Sequence, residues 1–239
     1  GLSRTPHLPE CDFTGRHWGT QSARAAEFRV VSCAAYRSLM HPMEHVEIQG
    51  PVGVLEGVIS RADFTSHGAV LCHPHPLYGG SMDDAVLAAV EDGLRPHGFS
   101  SLRFNFRGVG ASDGSHDGGA GEVEDVLAAL EFMRGEGMDE MLLGGYSFGS
   151  IMALKAALHA PPHALLLVAP PLSMASSVAL DEIRCPVQLI LGEHDDFADV
   201  QEVVEAFPDA RVHVVEGADH FFLGSGAEIG EVVHEFIET

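Results

Sequence analysis

From Met43 to the C-terminus, short apolar runs alternate with longer segments of helical period, and this alternation limits the possible folds more than any other feature of the chain. The runs Val46 to Ile48 and Val52 to Ile59 read as two starting strands joined at Gly50-Pro51, and Ala69 to Cys72 as a short buried strand. Further strands are predicted over Ser101 to Phe106, Met141 to Gly145, Ala164 to Ala169, Val187 to Leu191 and Arg211 to Val215. Between them, helices are predicted from about Met82 to Pro96, Gly121 to Arg134, Ile151 to His159, Val200 to Phe207 and Glu228 to Ile237. A strand followed by a helix and another strand needs a crossover connection. The expected architecture is therefore α/β, a mostly parallel sheet with helices on both faces. Ligands of such sheets sit beyond the carboxyl ends of the strands, so functional residues are sought there.

At 239 residues, 46% of them apolar, the chain suits one α/β domain. Its first 42 residues differ from the rest: five arginines stand against three acids there, with no sustained period of 2 or 3.6. Residues 1–42 are read as a poorly structured extension, and residues 43–239 as the domain. The extension carries +2, so of the formal net charge of −22 the domain carries −24. Such a surface repels phosphate backbones and anionic lipid, which argues against nucleic acid and acidic membranes as partners. Four widely spaced cysteines, with no CxxC among them, suggest neither a disulfide framework nor a zinc knuckle and fit a reducing cytoplasm. No apolar run approaches the roughly 18 residues of a membrane span.

The chemistry concentrates at Gly145-Tyr146-Ser147-Phe148-Gly149, which fits G-x-S-x-G and lies between an apolar strand and a helical segment. Glycines beside the serine permit a sharp strand-to-helix turn in which backbones approach closely. Such a turn lifts a hydroxyl above the sheet and leaves the amide of Phe148 free to donate toward a developing oxyanion. A serine hydroxyl is a weak nucleophile at neutral pH, so it needs a base, and the base an orienting carboxylate. Downstream, one strand runs into Gly192-Glu193-His194-Asp195-Asp196 and the next reaches His220. Both positions lie just past strand ends, on the rim expected to carry Ser147. Among 15 histidines, His220 is preferred by position: His213 falls inside a strand, His234 inside a helix and His194 within the acidic turn. Spacing alone leaves Asp195 and Asp196 in competition.

The third strand is followed by Cys72-His73-Pro74-His75-Pro76-Leu77-Tyr78-Gly79-Gly80, where a second oxyanion donor is expected. Proline has no amide hydrogen, which leaves His75 and Leu77, with His75 preferred. A metal reading of His73 and His75 finds no third ligand nearby in sequence, so these imidazoles are read as loop anchors. The glycine-rich stretch after Phe106 is spaced G-x-G-x-x-x-G, a poor dinucleotide fingerprint. It is read instead as a polar loop held by Arg107 and a downstream acid such as Asp113 or Glu122. No cofactor is expected.

Taken together, CHPHPLYGGSMDD, RFNFRGVGASDG, GYSFGS, LGEHDD and ADHFF resemble the α/β-hydrolase superfamily, and more narrowly the small cap-less bacterial serine hydrolases near the dienelactone-hydrolase branch. The resemblance spans residues 43–239. It implies a serine esterase-like site with Ser147 at the elbow, His220 as base and Asp195, rather than Asp196, as the acid. Dienelactone hydrolases carry cysteine at the elbow, so Ser147 departs from them. Too few residues separate the strand ending at Ala169 from the one at Val187 for a large cap, which predicts an open cleft. The expected activity is hydrolysis of small-molecule carboxylic esters through an acyl-enzyme. A thioesterase or peptidase with the same residues is the second reading, and a non-catalytic binding protein the third.

Overall fold

The computed structural model describes residues 43–175 and 178–239; the extension read into residues 1–42 lies outside the described residues. The described part is built on an eight-stranded sheet of order β1-β2-β4-β3-β5-β6-β7-β8. Its strands are β1 (Met43–Gly50), β2 (Gly53–Ser60), β3 (His67–Cys72), β4 (Ser100–Phe104), β5 (Glu140–Tyr146), β6 (Ala164–Val168), β7 (Val187–Gly192) and β8 (Arg211–Val215). The β1–β2 hairpin pairs antiparallel to itself and to β4, and every other pairing is parallel. The central strands β3, β5, β6 and β7 are buried on both faces, which is why they read as continuous apolar runs. In β1 only Ile48 is fully buried, and its polar flanks Glu44, His45 and Glu47 made the strand look shorter in sequence than it is.

Five α-helices among the described residues cover the sheet: α1 (Ala85–Leu94), α2 (Ala120–Gly135), α3 (Phe148–Ala157), α4 (Val200–Ala206) and α5 (Gly226–Ile237). Four of them pack in pairs, α1 against α5 and α2 against α3. Side-chain caps start several of them. Asp84 accepts the Val86 amide at 2.8 Å ahead of α1, and Asp199 accepts the Glu202 amide at 2.8 Å ahead of α4. Glu122 reaches back to the Gly119 amide at 2.7 Å ahead of α2. Helix α3 begins at Phe148, not at Ile151 as the sequence suggested. Its first turn contains Gly149 and Ser150, weak helix formers whose placement is imposed by the tight turn before them.

The parallel strands deliver four loops to one rim: after β3, after β5, after β7 and after β8. The stretch from Ala169 to Pro186 holds only short 3₁₀ turns, Leu172–Met174 and Leu180–Glu182, among the described residues. No large cap is built there. No helix among the described residues is long and apolar enough to cross a membrane.

Candidate active site

Strand β5 ends at Tyr146, and Ser147 then adopts φ 53° and ψ −122° before α3 starts. A positive φ is rare for a residue with a Cβ and is held only where its surroundings leave no alternative. The surroundings here are backbone. A Cβ added to Gly145 would lie 2.3 Å from the Gly149 carbonyl oxygen, and one added to Gly149 would lie 2.1 Å from the carbonyl oxygen of Cys72. The two glycines therefore let the elbow close and let it press against the end of β3. The Ser147 amide donates to the Val168 carbonyl at 2.9 Å, which ties the turn to β6.

On this support the Ser147 hydroxyl lies 2.8 Å from His220 Nε2, and His220 Nδ1 lies 2.7 Å from Asp195 Oδ2. The carboxylate facing Nδ1 favours the tautomer with hydrogen there, which leaves Nε2 to accept from the serine. Asp195 is spoken for on its other oxygen too: Oδ1 accepts the amides of Phe197 at 2.8 Å and Ala198 at 2.9 Å. Burial works to raise its pKa, yet the bonds from His220, Phe197 and Ala198 outweigh that cost and hold the carboxyl below the ordinary aspartate value. Asp196 makes no such bond to His220. The spacing that left the two aspartates in competition is resolved by which carboxylate reaches the ring.

The loop bearing His220 is fastened from the elbow itself. Tyr146, the variable residue before Ser147, is buried and donates its hydroxyl to the His220 carbonyl at 2.7 Å. Burial pushes its phenol pKa up, so it stays a neutral donor. Sequence reasoning did not single out this residue, because the motif leaves its position free.

Beyond β3, His73 is fully buried and uses both ring nitrogens: Nδ1 faces the Pro74 carbonyl at 2.6 Å, and Nε2 accepts the Phe106 amide at 3.1 Å. Burial lowers its pKa to about 4, so the ring is neutral. Its part is to pin the loop to β4. Among the described residues, no cluster of three His, Cys, Asp or Glu side chains could hold a metal ion. Of the two expected amide donors, Leu77 gives its N–H to His75 Nδ1 at 3.2 Å. The amides of His75 and Phe148 donate no hydrogen bond among the described residues. The ring of His75 packs 4.8 Å from that of Phe148, which brings these two segments together.

The glycine-rich loop is anchored differently from the sequence expectation. Arg107 is buried against Asp125 of α2, with Nη2 2.8 Å from Oδ1 and Nε 3.0 Å from Oδ2, and it also donates to the Gly121 carbonyl at 2.6 Å. Neither Asp113 nor Glu122 is its partner: Asp113 accepts the Val54 amide at 2.8 Å, and Glu122 is engaged by His116 at 2.7 Å. The cause is simple. Asp125 lies one helical turn beyond Gly121, and only the formed helix turns it back toward the loop.

A strained elbow serine, a histidine from the loop after β8 and a carboxylate from the loop after β7, on a mostly parallel sheet with no large cap among the described residues, define the class of α/β hydrolases. The chain belongs to that family: the model for the alpha/beta hydrolase domain matches residues 67–235. It is similar to an uncharacterized protein of Rickettsia prowazekii (strain Madrid E), 30% identical and covering 82% of this chain and 90% of that one. Among solved structures it resembles an α/β serine hydrolase homologue from Coxiella burnetii, at 34% identity and a TM-score of 0.76, over 81% of this chain and 97% of the other. A Xanthomonas campestris protein described as an α/β serine hydrolase without a lid superposes with a TM-score of 0.74 at 29% identity, over 82% and 94% of the two chains.

Proposed function

We propose that this hydrolase cleaves carboxylic esters through an acyl-enzyme formed on Ser147. One observation carries the reading: the unbroken relay from Ser147 Oγ to His220 at 2.8 Å and on to Asp195 at 2.7 Å. In the reaction, Ser147 Oγ attacks the ester carbonyl carbon as its proton passes to His220 Nε2, and Asp195 stabilises the imidazolium. The carbonyl oxygen becomes an oxyanion received by the unengaged amides of Phe148 and His75, each such donor contributing about 10²–10³ in rate. The carbon–oxygen bond to the alcohol then breaks, and Nε2 returns its proton to the departing alkoxide. Water repeats the sequence on the acyl-enzyme, releasing the acid and restoring Ser147. Every group is a side chain or a backbone amide, and the scheme uses no cofactor.

The similarity to proteins described as serine hydrolases supports this reading. An elbow serine in place of cysteine sets the chain apart from dienelactone hydrolases, which favours simple esters as substrates. Cys72 and Cys185, unpaired among the described residues, fit a reducing compartment, the cytoplasm. The test is a panel of short esters, acyl-thioesters and peptide amides assayed side by side with wild type and Ser147→Ala. Ester turnover above the other two classes, lost in the variant, is expected; faster thioester or amide cleavage would overturn the ester assignment.

A further inference from the structure

Beside the relay stand two aromatic side chains that no step of the reaction uses. Phe197 is 62% exposed and Phe221 66% exposed, although both are large apolar groups. Their ring centroids lie 4.9 Å and 5.8 Å from that of His220, so both rings stand next to the imidazole. Neither is a loose surface residue. The Phe197 amide is held by Asp195 Oδ1 at 2.8 Å, the carboxylate that orients His220, and the Phe221 amide is held by Asp219 Oδ1 at 2.9 Å. The next residue, Phe222, takes φ 50° and turns its ring inward against Tyr146, which leaves Phe221 facing out. Two apolar rings fixed in water beside a reacting group are what a substrate pocket needs and what a folded core does not.

The chemistry says which part of a substrate meets them. His220 Nε2 must deliver its proton to the leaving oxygen, so that oxygen comes within hydrogen-bond reach of the imidazole. The group attached to it then extends over the rings beside the imidazole. Charge narrows the class further: the carboxylates of Asp195 and Asp219 hold the backbone of the two phenylalanines at 2.8 Å and 2.9 Å, so a further anion brought there is repelled. Resting on the ester-hydrolase reading above, we propose that Phe197 and Phe221 form a clamp for the leaving alcohol and select esters of uncharged, apolar alcohols, alkyl or aryl, over esters of small or anionic ones.

The experiment measures kcat/KM for a series with one acyl group and varied alcohols: methyl, butyl and hexyl acetate, and 6-acetoxyhexanoate, whose alcohol carries a carboxylate. In wild type, kcat/KM is expected to rise at least tenfold from methyl to hexyl acetate and to drop at least tenfold from hexyl acetate to 6-acetoxyhexanoate. In Phe197→Ala/Phe221→Ala, the hexyl-to-methyl ratio is expected to collapse toward one, while a fluorophosphonate still labels Ser147. A flat series in wild type, or a variant that loses methyl and hexyl acetate in parallel, would overturn the clamp. The wild-type series tests it even if the double variant fails to fold. Failure of the underlying reading looks different: wild type would hydrolyse no acetate at all, whether or not the fluorophosphonate labels Ser147.

Discussion

Replacing Asp195 with asparagine tests the relay at a single atom. Asp195 Oδ1 accepts two backbone amides, from Phe197 and Ala198, and an amide nitrogen placed there would face two donors. Asparagine must therefore keep its oxygen at that position and turn its NH₂ toward His220 Nδ1. An NH₂ donates, so Nδ1 must accept, and the ring hydrogen moves to Nε2. In that tautomer the nitrogen 2.8 Å from Ser147 Oγ has no lone pair to receive the proton. The expected loss in kcat is about 10⁴-fold, the size known for the same replacement in serine proteases, or about 5.4 kcal/mol of transition-state stabilisation. Because the two amide bonds survive, the fold should persist. The assay is steady-state hydrolysis of a short p-nitrophenyl ester, with imidazole ¹⁵N chemical shifts reporting the tautomer, and Asp196→Asn as the control expected to remain within about twofold of wild type. Asp195→Asn activity above a tenth of wild type, or an unchanged tautomer, would refute the reasoning.

Tyr146→Phe removes the only bond between the elbow side chain and the His220 carbonyl. Stability is expected to fall by about 1–3 kcal/mol in urea denaturation, the cost of stranding a buried acceptor, and kcat by about tenfold with little change in KM as the imidazole loses its alignment; a variant that loses stability but keeps full kcat would show the bond to be structural only. His73 has a folded pKa of about 4, below the roughly 6.5 of an unfolded histidine, so the unfolded chain binds the extra proton and stability declines as pH falls from about 6.5 to 4. His73→Gln should flatten the urea-midpoint profile in that window, and an unchanged slope would contradict the neutral-anchor role. Asp195 is shifted in the same direction, below its unfolded value: its contribution is present above the unfolded carboxylate value of about 3.9 and is lost as pH drops through its lower folded pKa. The stability gap between wild type and Asp195→Asn should accordingly close below about pH 4.

Ser147 and His220 were legible because their signals are local: a glycine-flanked serine between a strand and a helix, and a histidine just past a strand end. The central strands were legible for the same reason, being apolar on both faces. What stayed hidden depends on where side chains turn once the fold exists. Asp195 and Asp196 are neighbours in one turn that spacing could not separate; the family resemblance pointed to Asp195, and its bonds to His220, Phe197 and Ala198 set it apart. The sequence reading preferred His75 to Leu77 as donor, and what separates them in the structure is the His75 ring, which accepts the Leu77 amide. Asp125, the partner of Arg107, is brought to the loop by the winding of α2. Tyr146, Phe197 and Phe221 left no sequence signal, since a motif's free position and an aromatic residue's exposure are both set by tertiary packing.

The central claim is that His220 and Asp195 make the hydroxyl of Ser147 a nucleophile. The most direct measurement is reaction of the purified protein with a fluorophosphonate, read by intact-mass and peptide mass spectrometry. A single adduct on Ser147 is predicted, absent in Ser147→Ala and formed far more slowly in His220→Ala. An unmodified protein, or an adduct on another residue such as Ser150, would contradict the account.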